Sequence, residues 1–180
     1  DPNSTITALA IGSSSTLAWT ITAEFGGCAP TSDTVIINVD LAITVSNAGP
    51  DQNLCNTTTA TMAANAVAVS ETGTWSVVSG TASVTNLTDP ASGVTALAIG
   101  GTSVLQWTIT SGFGGCVPSF DDVVINVDST TTIADAGPDQ NLCGITTTTL
   151  AGNTTKLSEN GTWTVVSGSA VITSPNSLNS

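Results

Sequence analysis

The sequence contains no histidine, no arginine and no tyrosine, and Lys156 is its single basic side chain. Without histidine, no Ser–His or Cys–His nucleophile pair can be built. Ser–Lys chemistry would have to use Lys156, which falls in a polar turn before Trp163 and reads as a solvated side chain. Against that lone cation stand 13 Asp and Glu residues, for a net charge of −12. Such a chain repels phosphate backbones, which excludes nucleic acid as a partner, and it is disfavoured at anionic lipid as well. No apolar run is long enough to cross a bilayer, so membrane insertion is not expected. The chain opens on Asp1 with neither an initiator Met nor a signal peptide, and it reads as a mature segment or a window cut from something longer. Charged residues make up 8% of it, against roughly 25% in an average soluble domain.

The acids that are present do not assemble into a recognisable site. Asp121-Asp122 is the only adjacent pair, and it starts a strand, where an acid blunts the strand or caps a turn. Gly112-Phe113-Gly114-Gly115 has no lysine and no following helix, as phosphate binding would require. Asp40, Asp51, Asp128 and Asp139 flank two linkers, and hard oxygen ligands there would suit calcium. They lack any calcium-loop spacing, and plain turn aspartates are the favoured reading. No cofactor is expected, and the chain reads as a protein that is not an enzyme.

What the chain has in excess is Thr, Ser, Val, Ala and Asn. Branching at Cβ suits Thr and Val to a pleated, half-buried surface. A hydrophobic share of 40% argues against disorder. There is also an internal repeat. Asn-Ala-Gly-Pro-Asp-Gln-Asn-Leu-Cys at 47–55 returns with one change at 135–143. Gly-Thr-Trp at 73–75 returns at 161–163, and Trp-Thr-Ile-Thr at 19–22 returns at 107–110. Each offset is 88 residues, so one period runs about twice through the chain. That length suits a small β-sandwich better than a solenoid coil or a propeller blade.

Alternation marks the strands within a repeat. Leu105, Trp107 and Ile109 share one face, as do Leu17, Trp19 and Ile21 in the other copy. Val123, Ile125 and Val127 form a second such face, matched by Val35, Ile37 and Val39. Further strands are expected at Trp75–Val77 (matched by Trp163 and Val165), Ala82–Val84, Val94–Ile99, Thr59–Ala64 and Asp51–Cys55. Trp19, Trp75, Trp107 and Trp163 all fall on core positions. Seven short strands separated by Gly, Asn and Asp turns imply an all-β fold of tandem immunoglobulin-like sandwiches. The boundaries follow: 47–134 is a complete repeat, 1–46 the C-terminal half of one, and 135–180 the N-terminal half of another. Half a sandwich exposes sheet edges and an apolar face. The halves are therefore expected to be completed by neighbouring copies, head to tail, in a contact that does not close and so makes a filament.

Cys28, Cys55, Cys116 and Cys143 allow three pairings. The favoured one joins Cys55 to Cys116 inside the complete repeat, a closure contributing roughly 4 kcal/mol on the chain-entropy model. Cys28 and Cys143 would then make the same bridge with neighbouring copies. The rival pairs Cys28 with Cys55 and Cys116 with Cys143, stapling successive domains. Zinc is disfavoured by the absence of histidine and of any Cys-x-x-Cys, and disulfides imply an oxidising, extracellular compartment.

The order Ala-Gly-Pro-Asp-Gln-Asn-Leu-Cys, Gly-Thr-Trp-Ser-Val-Val-Ser-Gly, Leu-Gln-Trp-Thr-Ile-Thr, Gly-Gly-Cys, Asp-Asp-Val-Val-Ile resembles the PKD-like or immunoglobulin-like repeats of very large cell-surface proteins in gliding and marine Bacteroidota-type bacteria. The resemblance covers the whole chain. It implies a β-sandwich, export by type IX secretion, and a role in adhesion, surface filaments or gliding, with no catalytic residues to carry over. It also implies O-glycosylation at Asp-Ser/Thr-x, which Thr34 and Ser129 fit. A carbohydrate- or protein-binding module of a larger secreted protein is the alternative, and an aromatic residue exposed in a groove would favour it.

Overall fold

A computed structural model describes residues 3–178. Among them there is no helix, and nine strands form: β1 (Ser13–Ile21), β2 (Thr31–Val39), β3 (Gln52–Cys55), β4 (Ala60–Thr61), β5 (Thr72–Ser79), β6 (Ser83–Val84), β7 (Gly93–Thr95), β8 (Gly101–Thr110) and β9 (Ser119–Asp128). The chain divides into two compact units, one ending at Asp128 and the other beginning at Ser129.

Seven of the strands build one immunoglobulin-like sandwich. A four-stranded sheet runs β3-β9-β8-β5, and a three-stranded sheet runs β4-β7-β6. All their pairs are antiparallel except β3 with β9, which is parallel. Period-two alternation explains the core. Along β8, Ser103, Leu105, Trp107 and Ile109 are buried while their neighbours are half-buried or exposed. Along β9, Val123, Ile125 and Val127 do the same. Trp75 of β5 joins them from the same sheet, and Met62, Val94 and Leu97 close the core from the facing side. The Trp75 and Trp107 rings sit 5.0 Å apart and tilted by 46°. Trp75 Nε1 donates to the Asp89 carbonyl, whereas the buried Nε1 of Trp107 has no partner.

Two strands are shorter than alternation suggests. The Val94–Ile99 segment pairs only to Thr95, because Ala96 turns to φ 58° and ends the ladder. Thr59–Ala64 keeps two ladder residues. Beyond them, Met62 and Ala64 donate singly to the carbonyls of Ser92 and Pro90.

The larger difference lies in the two incomplete repeats. β1 and β2 form a hairpin whose bounds match those of β8 and β9 one period on to within one residue. Residues 135–178, expected to carry four strands, carry none. The topology gives the reason. In the complete repeat β3 pairs with β9, β4 with β7, β5 with β8 and β6 with β7. Every strand of the first half thus takes its partner from the second half, and no two first-half strands pair with each other. A second half can make its β8–β9 hairpin unaided. A first half can make no ladder at all.

Its loops form nevertheless. Asn65 accepts from Asn47 N–H and donates to the Val45 carbonyl; Asn153 does the same with Asp135 and Ile133. Gln52 and Gln140 each donate to a threonine carbonyl nine residues on. Positive φ recurs in register as well: Gly49 with Gly137, Asn56 with Gly144, Ser70 with Ser158, and Gly80 with Gly168. Local side-chain bonds therefore hold the turns of 129–178 in place without a sheet.

Candidate assembly interface

The β1–β2 hairpin presents a largely exposed apolar face whose counterpart one period on is core. Leu17, Trp19 and Ile21 are 36%, 52% and 60% exposed, whereas Leu105, Trp107 and Ile109 are each 0% exposed. Val35 is likewise exposed and its counterpart Val123 is buried. Both hairpin edges are open. β8 is flanked by β5 and β9 by β3, while β1 and β2 have only each other. Unpaired edges carry free N–H and C=O groups that template another strand.

The first-half unit has incompletely buried core positions of its own. Trp163 is half-buried where Trp75 is fully buried, and Leu150 is half-buried where Met62 is buried. Trp163 keeps the local bonds of Trp75: its Nε1 donates to the Ser177 carbonyl, and its backbone N–H to that of Pro175. A glycine marks the missing ring. A Cβ at Gly73 would stand 2.2 Å from Cζ2 of Trp107, whereas one at Gly161 would meet only Thr155, at 3.6 Å. The place over Gly161 is open where a Trp107-type side chain belongs.

Asp40 holds the turn between β2 and the complete repeat. Its Oδ1 accepts from Phe113 N–H at 2.9 Å and its Oδ2 from Gly115 N–H at 2.6 Å, both in the β8–β9 loop. The bond from Phe113, followed by those from Gly115 and the Ser111 hydroxyl, holds the Asp40 carboxyl below its ordinary pKa. The Cys116 thiol donates to the Leu41 carbonyl at 3.4 Å. Glu71 brackets a second loop, accepting from Thr44 and Ala68 N–H, and Glu159 repeats this with Thr132 and Lys156. Desolvation raises the Glu71 pKa, but those N–H groups outweigh it and the net shift is downward. Asp40 stands out in the sequence only as a linker acid. The glutamates are not legible there as brackets, because the loops they span are irregular.

The other residues singled out in the sequence have structural occupations. Asp121 accepts from Ala48 N–H, Asp122 from Gln106 Nε2 and Asp51 from Val124 N–H. Lys156 Nζ donates to the Thr130 carbonyl. Thr34 lies exposed on β2 beside Asp33, and Ser129 is exposed after β9.

All four cysteines are free thiols, so the expected Cys55–Cys116 bridge is not formed. Register explains it. Cys55 pairs with Asp128 at the end of β9, while Cys116 lies in the loop before Ser119 at its start. β9 separates them by its own length, about 30 Å at roughly 3.3 Å per residue. Cys28 and Cys143, expected to pair with neighbouring copies, are free and exposed in the single chain.

No protein-family model and no curated protein matches the chain. Among solved structures it is similar to the PKD domain of the KIAA 1837 protein, over 53% of this chain and 92% of that one, with 20% identity and a TM-score of 0.39. It is similar to a nucleoside hydrolase-related protein from Saccharophagus degradans that is associated with carbohydrate metabolism (43% of this chain, 22% of that one, 20% identity, TM-score 0.35). Domains 4–9 of the surface layer protein SbsC align over 86% of this chain and 27% of that one, with 11% identity and a TM-score of 0.33.

Proposed function

We propose that this chain is a structural repeat of an extracellular surface filament or adhesin, built head to tail by completing half-repeats in trans. The observation that carries the reading is the pairing rule of the sandwich: each first-half strand finds its partner in a second half. The β1–β2 hairpin of one copy supplies the β8–β9 role to the 135–178 segment of the next. Registers carried over from the complete repeat set Trp19 opposite Trp163 and Ile37 opposite Gln140. Trp19, Leu17, Ile21 and Val35 then leave water, each contributing about 1.5–3 kcal/mol on full burial. Ile6 enters at the place of Val94.

An exposed tryptophan is also what a binding module would show. Trp19, however, lies in line with Leu17 and Ile21 on a strand face whose counterparts Leu105, Trp107 and Ile109 are all core. Assembly accounts for that whole face. The structural role involves no catalytic residue and no cofactor.

Electron microscopy with sedimentation of the 180-residue chain tests the reading. Unbranched filaments with an axial repeat of two sandwiches are expected. A monodisperse monomer at every concentration would overturn it.

A further inference from the structure

The cysteines sit where the head-to-tail reading brings copies together, and the inference rests on that reading. Cys55 is the strand partner of Asp128, at the end of β9. Asp40 is the counterpart of Asp128 one period earlier, and Cys143 is the counterpart of Cys55 one period later. When the Gln140–Cys143 segment of a preceding copy pairs with β2 as β3 pairs with β9, its Cys143 comes beside Asp40. That position already holds a second thiol. Asp40 binds the N–H groups of Phe113 and Gly115, and the Cys116 thiol touches the Leu41 carbonyl. Two cysteines from two copies thus meet on either side of one short turn.

As the strand partner of Asp40, Cys143 would stand roughly 4.8 Å from it, and the Cys116 thiol already lies on the carbonyl of the next residue, Leu41. That brings the two cysteines toward the Cα separation of about 4.4–6.8 Å that a disulfide spans. The other junction has the same parts in the other order. Cys55 stands beside Asp128, and the loop that Asp128 would clamp in the following repeat is that of the next copy's β1–β2 hairpin, which carries Cys28. Cys28, Cys55 and Cys143 are exposed and Cys116 is half-buried, so the thiols are open to reaction.

We propose that disulfides staple successive repeats across their junctions, Cys116 to Cys143 of the preceding copy and Cys55 to Cys28 of the following one. Each bond forms by thiol–disulfide exchange with an oxidant of the disulfide class, such as an oxidoreductase disulfide or glutathione disulfide. The two cysteine thiols lose two protons and two electrons as the S–S bond closes. The oxidant's own disulfide is reduced to two thiols. The result covalently locks a filament whose junctions otherwise rest on strand pairing and apolar burial, and no thiol is left over within it.

The test is a disulfide map of the 180-residue chain. Isotopically light and heavy chains are mixed, assembled in a glutathione redox buffer, alkylated without reduction, digested and weighed. Linked peptides joining residues 28 with 55 and 116 with 143 are expected, including species with one light and one heavy member. Cys143→Ser is expected to free Cys116 for alkylation and to leave the Cys28–Cys55 link intact. A Cys55–Cys116 or Cys28–Cys143 link, or links within one chain only, overturns the proposal. Four alkylated thiols in material that microscopy shows as filaments overturn the staple and leave head-to-tail assembly standing. Four alkylated thiols in a monomer overturn both.

Discussion

Two glycines with the same sequence neighbours have opposite surroundings. Gly73 is pressed against Trp107, and Gly161 faces open space. Gly73→Ala is therefore expected to destabilise the complete repeat by about 1–3 kcal/mol through overpacking, read by thermal or denaturant unfolding. Gly161→Ala is expected to leave the dilute chain's unfolding unchanged and to abolish assembly, because Trp19 of the neighbouring copy must settle there. Asp40 gives a prediction in pH. Its folded pKa is depressed, so its contribution is complete above the unfolded value near 3.8 and is lost as pH falls through the lower folded value. Amide NMR of Phe113 and Gly115 should show both N–H groups shifting together in that acid window, and Asp40→Asn should remove the transition. Both glycines look alike in the sequence; only the partner strand across the sheet separates them.

The elements divide into those that can form alone and those that cannot. A β8–β9-type hairpin is local, and a first-half strand is not. Trp107→Ala is expected to cost about 3–5 kcal/mol of repeat stability, whereas Trp19→Ala, on an exposed strand, should change unfolding of the dilute chain by less than about 0.5 kcal/mol and still prevent assembly. Much of this level was legible in the sequence. Alternation marks β1, β2, β8 and β9, because each carries one apolar face and one more polar face. Strand pairing was not legible. Nothing in Gln52–Cys55 says that it lies parallel to β9, and an antiparallel reading of its place puts Cys55 near Cys116. That orientation undoes the intra-repeat bridge, and the pairing of every first-half strand with a second-half strand explains why residues 135–178 lack strands. The apolar face of the candidate interface was visible as a pattern. The clamps at Asp40, Glu71 and Glu159 were not, because side-chain-to-backbone bonds across irregular loops leave no periodic trace.

At the scale of the molecule, a chain with net charge −12 must bring like-charged copies together. Repulsion between them is screened over roughly 10 Å at 0.1 M salt and over 30 Å at 0.01 M. Assembly, followed by light scattering, is expected to speed up as sodium chloride rises across that range. Calcium chloride at equal ionic strength should act no more strongly if screening is the whole effect. The central claim is that the first half-repeat has no ladder of its own and acquires one from another copy. Hydrogen–deuterium exchange of the amides in 140–143 and 160–167, measured from dilute to concentrated solution, tests it most directly. The account predicts fast exchange when dilute and protection that appears with concentration, alongside new protection on the open edges of β1 and β2. Protection already present in the dilute monomer, or fast exchange in concentrated solution, would contradict it.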